Sequence, residues 1–253
     1  MVKIIAVTNQ KGGVGKTTST VNLAACLATM DRKVLVIDSD PQGNATSGLG
    51  FDKREIKKCI YDMLINDVAA ENVLLHTKYK NLDIIPSTIQ LAGAEIELVG
   101  LENREGRMRK ALDKIKYNYD YILIDCQPSL GLLTLNALAA ATSVIIPIQC
   151  EFCALEGVTM LMNTIQLVQR NLNPALKLEG VVMTMYDGRT NLSNEVVSEV
   201  QKYFQTKMYK TVIPRNVRLS EAPSHGEPII VYDAKSTGAQ YYMNLAKEVI
   251  ENE

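Results

Sequence analysis

The chain has 253 residues, of which 47% are hydrophobic and 22% are charged, and its formal net charge is −1. This composition is typical of a soluble globular protein, and the small net charge provides no overall basic field that would indicate nucleic-acid binding. No apolar run reaches transmembrane length, and a strand predicted at the very start leaves no room for a signal peptide. We therefore expect a cytosolic protein.

The cysteines are five in number, and an odd count in a long chain favours reduced thiols over a disulfide framework. Cys150 and Cys153 form a C-x-x-C pair. A zinc site would need a second pair of ligands, and the chain has only two histidines. We interpret the pair as two small apolar side chains after a strand, with a redox role as the alternative.

Strand-like and helix-like segments alternate along the chain. Near-continuous Val, Ile and Leu content predicts strands of a parallel sheet that is buried on both faces. The predicted strands are Lys3–Thr8, Lys33–Asp38, Leu82–Pro86, Asp120–Asp125, Ser143–Ile148 and Leu178–Thr184. After a first helix that opens at residue 16, helical spacing predicts Ser87–Leu98, Glu105–Lys116, Leu130–Ala141, Ala154–Asn171, Asn194–Gln205 and Gly238–Glu251.

This alternation predicts an α/β fold, a doubly wound, mostly parallel sheet flanked by helices. There is no internal repeat and no low-complexity linker, so we expect residues 1–253 to form a single domain. The charged stretch Asp52–Lys58 is interpreted as a solvated surface segment.

The segment 11–18, with the sequence KGGVGKTT, follows the first strand and opens a helix. Glycines let backbone N–H groups turn inward around phosphate oxygens, and the helix directs its positive end at the same anion. Lys16 is placed to reach the β- and γ-phosphates, and the Thr17 hydroxyl is a ligand for Mg²⁺. The usual pattern is G-x-x-x-x-G-K-[ST]; here Gln10 replaces the first glycine and Lys11 adds a second lysine. The predicted nucleotide contacts are Lys11, Gly12, Gly13, Val14, Gly15, Lys16, Thr17 and Thr18.

Three aspartates follow strands at the edge where ligands of open α/β sheets bind. Asp125 ends an apolar strand in the manner of a Walker B carboxylate, which holds Mg²⁺ through its water shell. Asp38 and Asp40 lie where the second strand ends. We assign the attacking water to Asp40, which lies further beyond the strand, and we place Asp40 with Thr17 and Asp125 around the metal.

Four segments together resemble the ParA/Soj chromosome-partitioning ATPases, which belong to the deviant Walker A group of P-loop NTPases. They are KGGVGKTT at 11–18, DSDPQGNAT at 38–46, YILIDCQPSLGLLTLNAL at 121–138 and IPRNVRLSEAPSHGEPI at 213–229. The similarity extends over essentially the whole chain. It implies ATP and Mg²⁺ as cofactors and slow, partner-stimulated ATP hydrolysis in which Lys11, Lys16 and Asp40 take part.

The resemblance also implies a use for Lys11, which reaches the phosphates of the other subunit in an ATP-bound sandwich homodimer. Such dimers bind double-stranded DNA without sequence specificity, and a ParB protein bound to centromere-like DNA stimulates hydrolysis and release. The chain would then be cytoplasmic and nucleoid-associated.

The family's adenine pocket falls on Asp187 and on Pro214, Arg215, Asn216 and Val217 of this sequence. Arg189 is the first candidate for contacting DNA phosphates, followed by Arg218 and Lys235. The alternative for Arg189 is a solvated or salt-bridged side chain, since seven Lys/Arg stand against six Asp/Glu between positions 187 and 235.

Two positions depart from the family pattern. Gln127 stands where proline is usual, which predicts either a looser turn after Asp125 or a tolerated change. Cys153 stands where an aromatic residue is more usual, and we interpret it as a neutral packing change.

Three other functions share this fold. A membrane-cycling ATPase like MinD is opposed by the acidic C-terminal residues, which are unsuited to a membrane-surface helix. An iron–sulfur carrier would need cysteines such as Cys126 and the 150/153 pair to converge at a dimer axis. A cobyric-acid-type or dethiobiotin-type synthetase would need a substrate domain that the sequence does not show.

Overall fold

The computed structural model describes residues 2–151 and 154–252. Cys153, and with it half of the C-x-x-C pair, lies outside the described residues. Within the described part of the chain, eight strands form one sheet in the order β3-β4-β2-β5-β1-β6-β7-β8. The strands are β1 Lys3–Val7, β2 Val34–Ser39, β3 Leu75–His76, β4 Leu82–Ile85, β5 Tyr121–Cys126, β6 Ser143–Gln149, β7 Lys177–Tyr186 and β8 Met208–Pro214. All neighbours are parallel except β3 and β4.

Helices cover both faces of this sheet. They are α1 Lys16–Thr29, α2 Asn44–Gly48, α3 Ile60–Ile65, α4 Leu91–Glu97, α5 Arg107–Leu112, α6 Leu132–Ala140, α7 Ala154–Asn171, α8 Asn191–Phe204, α9 Val217–Glu221, α10 Ile229–Tyr232 and α11 Thr237–Glu251. The apolar cluster on one face takes side chains from α3 to α8, and the cluster on the other takes them from α1, α2 and α9 to α11.

The central strands contribute to both clusters because successive side chains of a strand point to opposite faces. Ile4 and Ala6 of β1 belong to one cluster, and Ile5 and Val7 belong to the other. This arrangement explains why these strands carry apolar side chains on both faces. The predicted doubly wound α/β fold is confirmed.

The bounds of several predicted elements are corrected by hydrogen bonds outside the element. The helix predicted from Ser87 begins at Leu91, since the Ser87 N–H donates to the Thr46 hydroxyl at 2.9 Å. The helix predicted over Glu105–Lys116 is α5, which is shorter at both ends and closes in a tight turn where the Ile115 N–H donates to the Leu112 carbonyl. Strands β3 and β8 and helices α2, α3, α9 and α10 were not predicted.

No helix in the described residues is both long and apolar enough to cross a membrane.

Candidate functional site

The carboxyl ends of β1, β2 and β5 meet at one edge of the sheet. Asp125 of β5 lies in register with Val7 of β1 on one side and with Asp38 of β2 on the other. Chain reversal after β1 places the loop 8–15 over this edge, and α1 begins directly behind it at Lys16. The predicted phosphate loop and the predicted acidic residues are therefore brought together.

The loop depends on glycine at two positions. Gly13 and Gly15 have φ angles of 74° and 86°, in the left-handed region that favours glycine. The Thr184 hydroxyl of β7 donates to the Val14 carbonyl at 2.8 Å, and the Lys11 N–H donates to the Asn9 side-chain oxygen at 3.0 Å. These bonds fix the curvature of the loop from outside and from within.

The side chain of Lys16 lies inside the curve of the loop. It is buried, with a residue exposure of 6%, and its Nζ donates to the Lys11 carbonyl oxygen at 3.0 Å. Burial lowers the pKa of Lys16, while the charge of Asp125 opposes that shift. A cation that is held on a backbone oxygen in the curve of a glycine loop is suited to transfer onto a phosphate oxygen.

Lys11 has the opposite environment. Its Nζ forms an ion pair with Glu151 Oε2 at 3.0 Å, and its side chain is 44% exposed. The loop thus directs one lysine inward and the other outward.

Thr17 and Asp125 are in direct contact. The Thr17 hydroxyl donates to Asp125 Oδ2 at 2.7 Å, and the Thr20 hydroxyl donates to Asp125 Oδ1 at 3.3 Å. Asp125 is completely buried, and burial raises its pKa well above the ordinary value, with a further upward contribution from the charge of Asp38.

These oxygens fit Mg²⁺, which binds hydroxyl and carboxylate oxygens and keeps several waters. The described residues contain no group of three or more His, Cys, Asp or Glu side chains that could hold a metal ion. A magnesium ion here would thus depend on Thr17, on Asp125 and on oxygens that the chain does not supply.

Asp38 and Asp40 have different surroundings, although they are two residues apart. Asp38 is completely buried and accepts from the Thr46 N–H at 2.8 Å and from the Thr46 hydroxyl at 2.7 Å. Burial raises the pKa of Asp38 to about 6, against the effect of the Thr46 hydrogen bonds. Asp40 lies beyond the end of β2, is partly exposed, and accepts from the Gln42 N–H at 2.8 Å. Of the two carboxylates, Asp40 is the accessible one.

A cavity of about 340 Å³ opens beside the phosphate loop. Its walls include Gly15, Thr18, Pro214, Arg215, Asn216 and Tyr242. The lining does not include Asp187 or Val217 among the described residues. Val217 is 71% exposed, and the Asp187 carboxylate pairs with Arg189. A larger cavity, of about 510 Å³, lies between Phe51 and Leu75 and includes none of the predicted site residues.

The candidate DNA contacts are exposed, with Arg189 and Lys235 in turns and Arg218 on α9. Arg189 pairs with Asp187 through two bonds of 2.8 and 2.7 Å, and its side chain is 88% exposed. Arg218 pairs with Glu221 at 2.9 Å and lies 3.7 Å from Asp233. Lys235 is exposed in the turn between α10 and α11.

Sequence reasoning missed Glu151, Thr184 and Glu95. Each lies far along the chain from the residue that it contacts, so no local pattern identifies it. Glu95 is the partner of Gln127, whose Nε2 donates to Glu95 Oε1 at 2.6 Å. Gln127 is therefore tethered, in contrast to the looser turn that its departure from the family pattern predicts.

The glycine loop between β1 and α1, set in a mostly parallel sheet, defines a P-loop NTPase. Residues 2–178 match the family model of the AAA domain. The chain is 62% identical over 252 residues to the sporulation initiation inhibitor protein Soj of Bacillus subtilis (strain 168), with 100% of each chain covered. It is 52% identical to the chromosome-partitioning ATPase Soj of Treponema pallidum (strain Nichols), with 99% of this chain and 98% of that one covered.

A solved structure with the same fold is the cobyrinic acid a,c-diamide synthase from Mycobacterium smegmatis with bound ADP and magnesium. The TM-score is 0.88, the identity is 38%, and 99% of this chain and 95% of that chain are covered. On these likenesses, the chain belongs to the Soj/ParA family of chromosome-partitioning ATPases.

Proposed function

We propose that this chain, acting as a single ATPase domain, partitions DNA through an ATP-dependent cycle of dimer assembly and release. The observation that carries the proposal is the opposite placement of the two loop lysines, with Lys16 buried in the loop and Lys11 directed outward. One lysine serves the nucleotide of its own subunit. The other is available to a nucleotide bound by a second subunit.

ATP binds to the loop 11–18, with its base in the cavity formed by Pro214, Arg215 and Asn216. Loop N–H groups and the Lys16 ammonium hold the phosphates, as the ordered glycine backbone favours. The solved structure with bound ADP and magnesium supports this assignment of the ligand.

Thr17 and Asp125 would hold Mg²⁺, Thr17 by its hydroxyl and Asp125 through water. The ion, when bound, neutralises charge on the β- and γ-phosphates. Asp40 orients the attacking water, and its accessible carboxylate supports that role over the buried Asp38. Asp38 instead supports the turn through Thr46.

Lys11 binds the partner subunit's triphosphate in the ATP-bound homodimer, since an ammonium gains most beside concentrated negative charge. Hydrolysis removes that charge, and the dimer separates. The dimer binds double-stranded DNA without sequence preference through Arg189, Arg218 and Lys235, which places the protein on the nucleoid. A ParB-type protein on centromere-like DNA stimulates the otherwise slow hydrolysis.

The test combines size-exclusion chromatography with DNA binding, each with ATP, with ADP and without nucleotide. ATP alone is expected to give dimers, and those dimers alone are expected to bind DNA of arbitrary sequence with a strong salt dependence. DNA binding by the nucleotide-free monomer would contradict the proposal.

A second candidate is amide synthesis, because the similar structure from Mycobacterium smegmatis is that of a cobyrinic acid a,c-diamide synthase. A synthase of that kind needs an acid substrate and an amide donor before ATP is consumed. Phosphate release from ATP by the purified chain, in the absence of any acid or glutamine, separates the two functions.

A further inference from the structure

One carboxylate, that of Glu95 on α4, holds both ends of the loop that follows Asp125. At the start of this loop, Gln127 Nε2 donates to Glu95 Oε1 at 2.6 Å. At its end, the Leu132 N–H donates to Glu95 Oε2 at 2.8 Å and the Leu133 N–H donates to Oε1 at 3.3 Å. The two ends of the segment 127–132 are therefore both hydrogen-bonded to one side chain of α4.

The fit around this carboxylate is tight. A Cβ at Gly131 would collide with both oxygens of Glu95, so a larger residue there would displace the Glu95 carboxylate. Gly131 is the residue before α6 and has no side chain to satisfy the first N–H groups of that helix. Glu95 satisfies them instead, where a negative charge is also favoured by the helix dipole.

Leu130 and Leu132 pack against the apolar core, and within the described residues the other hydrogen bonds of the loop are local. Its own bonds are short-range, from the Ser129 N–H to the Gln127 carbonyl at 2.9 Å and from the Thr134 hydroxyl to the Ser129 carbonyl at 2.7 Å. Pro128 and Ser129 are exposed. Glu95 is therefore the side chain from outside the loop that fixes its two ends by hydrogen bonds.

We propose that Glu95 is a positioning residue for ATP hydrolysis, acting through the loop 127–132 on Asp125. This inference rests on the ATPase function proposed above. The Asp125 carboxylate accepts a hydrogen bond from the Thr17 hydroxyl at 2.7 Å. A displacement of the chain at 126–127 therefore changes the distance between these two groups, which are proposed to bind the metal ion. Nucleotide affinity depends mainly on the loop 11–18, which Glu95 does not touch.

Gln127 tethers the first residue of the loop to Glu95, in addition to the Leu132 and Leu133 N–H groups at its other end. A residue without a side-chain donor at position 127 would leave only those two N–H groups on Glu95. The residue at position 127 is therefore expected to change how strongly hydrolysis depends on Glu95.

The experiment exchanges the two side chains. The glutamine in Glu95→Gln has one acceptor oxygen and one NH₂ group. That NH₂ group must face either the Gln127 NH₂ group or the Leu132 N–H, and both of these are donors that cannot accept a hydrogen bond from it. Adding Gln127→Glu supplies an acceptor for that amide and keeps the total charge of the pair. Glu97→Gln is the control, since Glu97 lies on the same helix and accepts from the Tyr61 hydroxyl at 2.9 Å.

Single-turnover hydrolysis and the Kd for ATP are measured for wild type, the two single variants at position 95 (Glu95→Ala and Glu95→Gln), the exchanged pair and the control. Both single variants are expected to lose about tenfold or more in rate, because small misplacements of reacting groups are costly, with Kd changed less than about twofold. The exchanged pair is expected to recover most of the rate, and Glu97→Gln to match wild type.

Unchanged rates in both position-95 variants would overturn the inference. So would a rate loss that the exchanged pair does not recover, or one matched by an equal loss of ATP affinity. If Glu95→Ala fails to fold, Glu95→Gln and the exchanged pair decide. Absence of hydrolysis by the wild-type protein is a different outcome, which would overturn the proposed function itself.

Discussion

Asp38 and Asp125 lie directly opposite each other on β2 and β5, and both carboxyl groups are completely buried. Burial raises both pKa values, that of Asp38 to about 6, and the charge of Asp38 raises the pKa of Asp125 further. Two adjacent carboxyl groups that are buried together favour the protonated form. This edge of the sheet is thus a place where the folded protein binds protons more tightly than the unfolded chain does.

The free energy of unfolding of the protein without nucleotide or metal is therefore expected to decrease as the pH rises through the raised pKa of Asp38, about 6. A raised native pKa means that protonation stabilises the fold at lower pH, and that ionisation costs stability above it. Thermal unfolding of wild type and Asp38→Asn at pH 7.5 and 5.5 measures this. The variant is expected to be less sensitive to pH; an identical pH dependence would show that Asp38 does not titrate in this range.

Lys16→Ala and Lys11→Ala are expected to separate ATP binding from dimer assembly. Loss of the buried Lys16 ammonium removes the charge inside the loop, so ATP binding is expected to be lost. Lys11 lies outside the loop curve, so Lys11→Ala is expected to bind ATP with nearly wild-type affinity and to remain monomeric. Isothermal titration with a non-hydrolysable ATP analogue and light scattering report the two steps. Tight binding by Lys16→Ala would contradict the role assigned to that residue.

Asp40→Ala is expected to bind ATP and to form a long-lived ATP dimer, because it removes the carboxylate that orients water and leaves the loop intact. Hydrolysis is expected to fall by about a hundredfold or more, the usual contribution of a positioned acid–base group. Thr46→Val serves as a comparison, since it removes the hydroxyl that donates to Asp38 and is expected to lower stability. Normal turnover by Asp40→Ala would remove Asp40 from the mechanism.

Glu151→Gln is expected to promote ATP-dependent dimerisation at lower protein concentration. The ion pair with Lys11 at 3.0 Å competes within one subunit for the ammonium that the proposed dimer requires. An exposed pair of this kind contributes only about 0–1 kcal/mol to folding, so the unfolding temperature is expected to change little. Glu227→Gln, which breaks the exposed pair with Lys78 at 3.0 Å, is the matched control. Weaker dimerisation by Glu151→Gln would indicate that Glu151 supports Lys11 in the dimer.

Arg189→Ala is expected to weaken DNA binding and to reduce its salt dependence by about one counterion, while sparing dimerisation. Arg54 offers a close control, because it pairs with Asp52 across the same two-residue spacing at 2.7 Å and is 90% exposed. Arg54→Ala is expected to leave DNA affinity unchanged. Equal effects of both substitutions would show that general surface charge, and not Arg189, is responsible.

The sequence predicts the strand, loop and first helix well because their signals are local: an apolar run, spaced glycines and helical periodicity. Strand β8 was missed since Lys210 and Thr211 interrupt the apolar residues of Met208–Pro214. The pairing of Lys11 with Glu151 joins positions 140 residues apart. Contacts of that kind are set by the strand order, which composition and periodicity do not encode.

The bond from Lys16 to the Lys11 carbonyl holds the curve of the loop through atoms of the chain itself. A loop held in this way is expected to lose little conformational entropy when it binds phosphate. In the proposed cycle, the rate is then set by the steps after nucleotide binding, namely hydrolysis and product release. Under that proposal, a partner protein that changes the residence time of the nucleotide controls the cycle without altering nucleotide binding.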